Sequence, residues 1–242
     1  MPNEIEYESV MPNRAPQIDS LTPLRGIAAL WVVVFHLDGM AQYMKIGTLT
    51  ERSGIILRAY LWVDLFFILS GFIITHVYGA RFTKGITRRA FWEFLVARFS
   101  RLYPLHLATL CLVILLNVTL YRYLPVLQEN GMAEVVDAGD WKELPYHLFW
   151  LQGIGLVGLG WNFPSWSIAT EWWTYLLTLP LFRVLNRGVS RRTYGVIALC
   201  LLTISLLASR HSPRSLDMTY DFGLVRCLVD FVLGICCYQF YR

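Results

Sequence analysis

Charge is scarce in this sequence. Asp, Glu, Lys and Arg make up 16% of its 242 residues, against 56% hydrophobic types, where soluble domains carry about a quarter charged residues. The apolar residues come in long runs, and with so little solvating surface the chain is expected to be membrane-embedded. Internal repeats and low-complexity tracts are lacking, which counts against a transporter built from duplicated halves. Cysteines are few. Cys111, Cys200, Cys227, Cys236 and Cys237 all fall in apolar stretches, without metal-ligand spacing or the pattern of a secreted disulfide scaffold, and are expected to be buried, inert thiols. The first 23 residues are polar and contain neither an apolar centre nor a small-residue cleavage site. The first apolar helix is therefore expected to act as its own targeting signal. A net charge of +4 points to no nucleic-acid partner, because basic residues beside membrane helices mainly set orientation.

What is there is a series of apolar runs. A spanning helix needs about 20 mostly apolar residues. Six segments qualify: Leu24–Tyr43, Leu57–Gly79, Leu102–Tyr121, Trp166–Leu185, Tyr194–Ser209 and Gly223–Tyr241. The expected fold is an all-α, polytopic transmembrane bundle of about six spanning helices, preceded by a polar segment over 1–23. A further stretch, Tyr146–Leu159, is short and contains Gly153, Gly155 and Gly158. Arg81, Lys84, Arg88, Arg89, Arg98 and Arg101 flank the third run, and Arg183, Arg187, Arg191 and Arg192 follow the fourth. Between these basic groups lie Glu129, Glu134, Asp137, Asp140 and Glu143. The positive-inside rule puts the basic loops and the N-terminus in the cytoplasm. That arrangement holds only if the glycine-bearing stretch dips in and returns, which needs cover from protein or a cavity. The tryptophans at 141, 150, 161, 166, 172 and 173 suit interfacial anchors or cavity walls there.

Ionisable groups inside a bilayer are costly, so each needs a partner or a purpose. Arg25 and His36 share the first helix, on one face and about 16 Å apart along its axis. A neutral imidazole is a natural proton acceptor near pH 7, although a histidine bonded within the bundle and a snorkelling arginine would look the same. In VDLFFILSGFIIT, Asp64 and Gly71 share a face, and the Ser70–Gly71 pair reads first as close helix packing. Arg98 and Arg101, three apart, are expected at the cytoplasmic mouth of the third helix. There they make a phosphate clamp, or simply the usual basic helix end. Ser167 and Glu171, four apart in WNFPSWSIATEWWTYLL, share a face. Glu171, set among Trp172, Trp173 and Ile168, needs a partner, and His36 or an arginine is the obvious one. Asp230 raises the same question with less context. His76, His106 and His147 lie near span ends and suit interfacial roles.

Together these segments resemble the acyltransferase-3 family of integral membrane acyltransferases. LTPLRGIAALWVVVFH carries the arginine and histidine of the first family helix (Arg25 and His36), FFILSG the serine-glycine motif, and ARFSRLYPLH the paired arginines. WSIATEWW carries Ser167 and Glu171, and FGLVRCLVDFVLGICCYQF resembles a later helix that opens with an arginine, here Arg226. The resemblance implies transfer of an acyl group, acetyl by default, from acyl-CoA to a hydroxyl of a carbohydrate or related acceptor. Acyl-CoA would be a co-substrate, with no further cofactor and no metal. It implies His36 as the catalytic residue and the basic pairs as engaging the acyl donor; on that footing His36, Arg25 and Glu171 are the expected catalytic group, and Arg98, Arg101, Ser167 and Asp64 are expected to bind substrate. Glu171 or Asp64 would orient the imidazole, and Ser167 or Arg25 would stabilise developing charge. Direct transfer and a covalent acyl-histidine are both open chemistries. The family carries further spanning helices, so the domain over 24–242 is expected to be incomplete at its C-terminus. The expected setting is a plasma membrane, bacterial inner membrane first and fungal second. A transporter-like protein and an inactive homologue are the rival readings.

Overall fold

The computed structural model describes residues 18–43, 47, 53–123, 141–156, 158–185, 190–211, 216–219 and 221–242. Most of the polar N-terminal segment, the acidic residues Glu129, Glu134, Asp137 and Asp140, and Arg187 lie outside the described residues. The described chain forms helices and no strand: α1 (Leu21–Tyr43), α2 (Gly54–Leu57), α3 (Trp62–Thr83), α4 (Arg88–Tyr123), α5 (Leu144–Leu148), α6 (Trp166–Leu185), α7 (Arg191–His211) and α8 (Gly223–Tyr241). Short 3₁₀ turns at Ala59–Leu61 and Phe163–Ser165 lead into α3 and α6.

Five helical stretches are long and apolar enough to cross a membrane: Leu21–Gln42, Ala59–Thr83, Arg88–Thr119, Thr193–His211 and Gly223–Tyr241. They make this an all-α bundle of an integral membrane protein. α6, the remaining expected span, is a helix of spanning length but is less apolar. Its threonines Thr170, Thr174 and Thr178 are fully buried. Thr170 Oγ1 donates to Ser167 O (3.0 Å) and Thr178 Oγ1 to Thr174 O (2.7 Å). Hydroxyls returned to their own helix cost little inside a bundle, so α6 turns its threonine face to its neighbours, with Leu177 and Leu181 on its outer face.

α8 is central, packing against α3, α6 and α7. Its approach to α3 is backbone to backbone. Any side chain added at Gly71 would collide with the Phe231 carbonyl, and one at Gly234 with the Ile68 carbonyl. Small residues permit such contact where no hydrophobic force drives helices together. Below this crossing Ile74, Phe82, Phe94, Tyr175, Phe182, Phe231 and Ile235 form the core that ties α3, α4, α6 and α8 together. α1 leans on α3, its Trp31 stacked on Trp62 at 6.4 Å.

Two expectations change here. α4 begins at Arg88 rather than Leu102 and runs 36 residues through Pro104, about 54 Å at 1.5 Å per residue. Arg98 and Arg101 therefore lie well inside a helix, not at its mouth, because the amphipathic RRAFWEFLVARFSR continues the apolar run without a break. The thiols also divide: Cys227 and Cys236 are buried, while Cys111, Cys200 and Cys237 sit on outer helix faces.

Residues 149–165 form no spanning helix. The chain turns back at Trp150 (φ +56°), Gly153 (φ +79°), Gly155 (φ +81°) and Gly160 (φ +45°). A bulky residue in the left-handed region is an outlier, and Trp150 is held there by its surroundings. Its ring packs against Phe99, Tyr103, His106 and Trp172, and its carbonyl accepts the Trp173 indole N–H at 2.8 Å. At Trp150 the irregular backbone is thus covered by protein, while Phe149 and Leu156 on the same stretch are exposed. His106 and His147 are fully buried rather than interfacial, with His106 Nε2 on His147 O at 3.0 Å.

Candidate active site

The polar residues of α1, α3, α4 and α6 converge on a row of three cavities. The first, about 70 Å³, is lined by Arg25, Arg98, Arg101, Ser70, Glu171 and Tyr175, among others. The second, about 210 Å³, keeps Arg25, Ser70 and Glu171 and adds Ser167, Val32, Val63, Phe66 and Phe67. The third, about 30 Å³, keeps Val32 and Val63 and contains His36, with Tyr60, Phe163, Trp166, Asp217 and Arg226. Consecutive cavities share lining residues, so they lie in order from the α4 arginines to His36.

In the first cavity three arginines face one carboxylate. Arg101 is exposed and Arg98 half-buried. Arg98 donates to Tyr78 Oη at 3.3 Å and lies over the rings of Tyr78 (5.4 Å) and Phe94 (5.9 Å). These contacts fix the guanidinium while leaving part of its donor fork uncommitted. Glu171 Oε1 accepts from Ser70 Oγ and from Tyr175 Oη, the latter at 2.5 Å. Ser70 therefore serves the cavity while its neighbour Gly71 serves packing, which divides a pair that sequence assigned to packing as a whole. Tyr175 was not singled out, though its spacing of four from Glu171 placed it on the same face.

His36 has a different partner from the one expected. Its Nδ1 lies 2.7 Å from the Val32 carbonyl, and a carbonyl can only accept. Nδ1 therefore carries the proton, and in the neutral ring Nε2 keeps its lone pair. Neither carboxylate orients the imidazole: Glu171 is engaged by Ser70 and Tyr175, and Asp64 by Arg226. Arg226 Nε donates to Asp64 Oδ1 at 2.5 Å and Nη2 to Asp64 Oδ2 at 3.1 Å. Nη2 also reaches Tyr60 O (3.0 Å), and Nη1 reaches Met218 O (3.1 Å) beside Asp217 (3.6 Å). With its donors engaged, Arg226 clamps the wall of the His36 cavity. Asp64 belongs to this clamp and lines none of the three cavities. Among the described residues, no group of three His, Cys, Asp or Glu side chains is placed to hold a metal ion.

Comparisons with known proteins identify the chain's relatives. The acyltransferase domain of the acyltransferase-3 family matches residues 18–242. The acyltransferase MdmB of Streptomyces mycarofaciens is 31% identical over 240 residues, covering 93% of this chain and 58% of that protein. A Rhizobium radiobacter protein described as protein 2 in the picA locus is 39% identical over 120 residues, 50% of this chain and 56% of its own. The O-acetyltransferase OatA of Staphylococcus aureus is 25% identical over 231 residues, 92% of this chain and 34% of its own. The chain thus spans between about a third and three-fifths of the length of these relatives. No solved structure matches. With the family's domain matching residues 18–242, nearly the whole of this chain, the chain belongs to the acyltransferase-3 family.

Proposed function

We propose that the protein is a membrane O-acyltransferase that moves an acyl group from acyl-CoA to a hydroxyl of a carbohydrate or related acceptor, with His36 as general base. The observation that carries this reading is the row of cavities from Arg98 and Arg101, past Arg25 and Glu171, to a histidine whose Nδ1 is held by the Val32 carbonyl, which leaves Nε2 for the substrate. The CoA phosphates suit the arginine end, where guanidinium forks match phosphate oxygens. The pantetheine arm follows the cavities, and the thioester meets the acceptor at His36. Nε2 takes the hydroxyl proton as the oxygen attacks the thioester carbonyl. Arg25 faces the path as a donor toward developing negative charge, and Ser167, whose Oγ donates to the Pro164 carbonyl at 3.2 Å, joins it on turning toward the path. When the carbon–sulfur bond breaks, the CoA thiolate leaves and takes the proton from Nε2. Glu171 holds Ser70 and Tyr175 in place and offsets the charge of Arg25. The membrane is a bacterial plasma membrane with the N-terminus inside, following the loop charges.

The test is acyl-CoA turnover in membranes carrying the full-length protein and its His36→Ala variant. General-base catalysis contributes about 10²- to 10⁴-fold, so turnover should fall by at least a hundredfold in the variant. Equal rates would remove His36 from the mechanism. No turnover from correctly inserted protein would favour a transporter-like or inactive protein instead.

A further inference from the structure

Val32 and Val63 line both the 210 Å³ cavity and the 30 Å³ cavity that holds His36. Val32 is on α1 and Val63 on α3. The residues just before them, Trp31 and Trp62, stack with planes 4° apart, which holds the two helices together at this level. Val63 packs on the cluster of Phe67, Leu159, Trp166 and Cys227. Valine in a helix has one strongly preferred rotamer, so neither wall swings aside cheaply.

The space beyond this pair is small. At about 30 Å³ the His36 cavity has room for only a short group, such as the carbonyl oxygen and methyl of an acetyl group. The cavity before the valines is sevenfold larger by the same measure.

We infer that Val32 and Val63 form a neck through which the acyl group passes to His36, and that the pocket behind it restricts the donor to acetyl and similarly short acyl thioesters. This rests on the acyl-transfer reading above and adds the residues that choose the acyl group. Apolar pockets discriminate one methylene by about ten- to two-hundred-fold, so butyryl-CoA should be a poor donor. Val32 holds His36 through its backbone carbonyl, so trimming its side chain widens the neck without removing that contact.

The experiment is turnover of acetyl-, propionyl-, butyryl- and hexanoyl-CoA by the full-length protein in membranes, for the unsubstituted chain, Val63→Ala, Val32→Ala and Val63→Leu. Either alanine variant should raise the butyryl-to-acetyl ratio of kcat/KM at least tenfold. Val63→Leu should depress acetyl transfer through kcat, with little change in KM for the thioester. Turnover with the same chain-length profile in all four proteins would overturn the neck and leave the acyl-transfer reading standing. Turnover from no thioester in the unsubstituted protein would overturn both.

Discussion

Arg226 grips Asp64 with two edges of its guanidinium, Nε on Oδ1 at 2.5 Å and Nη2 on Oδ2 at 3.1 Å, joining residues 162 positions apart. The arginine side chain is 3% exposed and the aspartate 21%, so this pair is largely withdrawn from solvent. It joins α8 to α3, and through Tyr60 O and Met218 O it fixes the segments on either side of the His36 cavity. Removing one partner of a buried pair costs about 3–5 kcal/mol where the other charge is left uncompensated, and here Asp217, 3.6 Å from Arg226 Nη1, offsets part of the loss in Asp64→Asn. Arg226→Gln and Asp64→Asn should each lower the midpoint of thermal unfolding in detergent. The double variant should lose markedly less than the two single losses combined. Additive losses would mean that the two side chains are not coupled.

The crossing of α3 and α8 makes a sharper demand. At Gly71 and Gly234 an added side chain meets main-chain atoms of the facing helix, which cannot rotate away. Ordinary overpacking costs about 1–3 kcal/mol, and separating two helices exceeds that. Gly71→Leu and Gly234→Leu should abolish accumulation of folded protein in membranes, whereas Gly26→Leu, with nothing within 4 Å of an added Cβ, should be tolerated. Normal yields of both crossing variants, seen by gel filtration of detergent extracts, would contradict the backbone contact.

Acid should weaken the fold through His147. Burial, and after it the nearby His106, holds this imidazole down from 6.5 to about 4. The folded protein keeps the ring neutral while the unfolded chain takes up a proton below about 6.5. The stabilisation is complete above 6.5 and is lost as pH falls from 6.5 to about 4. Thermal unfolding in detergent should therefore drop between pH 7.5 and pH 4.5, and drop less in His147→Asn. An identical pH dependence in the two proteins would exclude His147 as the source.

Much of this was legible in the sequence, because a bilayer imposes simple rules. Apolar run length located α1, α3, α7 and α8 to within a few residues. Helical spacing placed Ser167 beside Glu171, and both line one cavity. The early start of α4 escaped because a hydropathy run marks what lies in lipid and not where the helix begins. Partners escaped for a different reason. Periodicity tells which residues of one helix share a face, but it carries nothing about which face of another helix comes opposite. Asp64 therefore gave no sign of Arg226, its partner 162 positions along the chain. The burial of His106 and His147 depends on the irregular turn at Trp150, whose left-handed backbone no propensity of tryptophan would suggest.

The Val32 carbonyl has one more implication. Because main chain holds the His36 tautomer, every residue type at position 32 except one that breaks the helix supplies the same acceptor. Side chains around the imidazole can change without altering which nitrogen carries the proton. Under the general-base reading proposed above, a lineage descended from this protein could exchange its acceptor or its acyl group by remodelling those side chains, while inheriting an unaltered base.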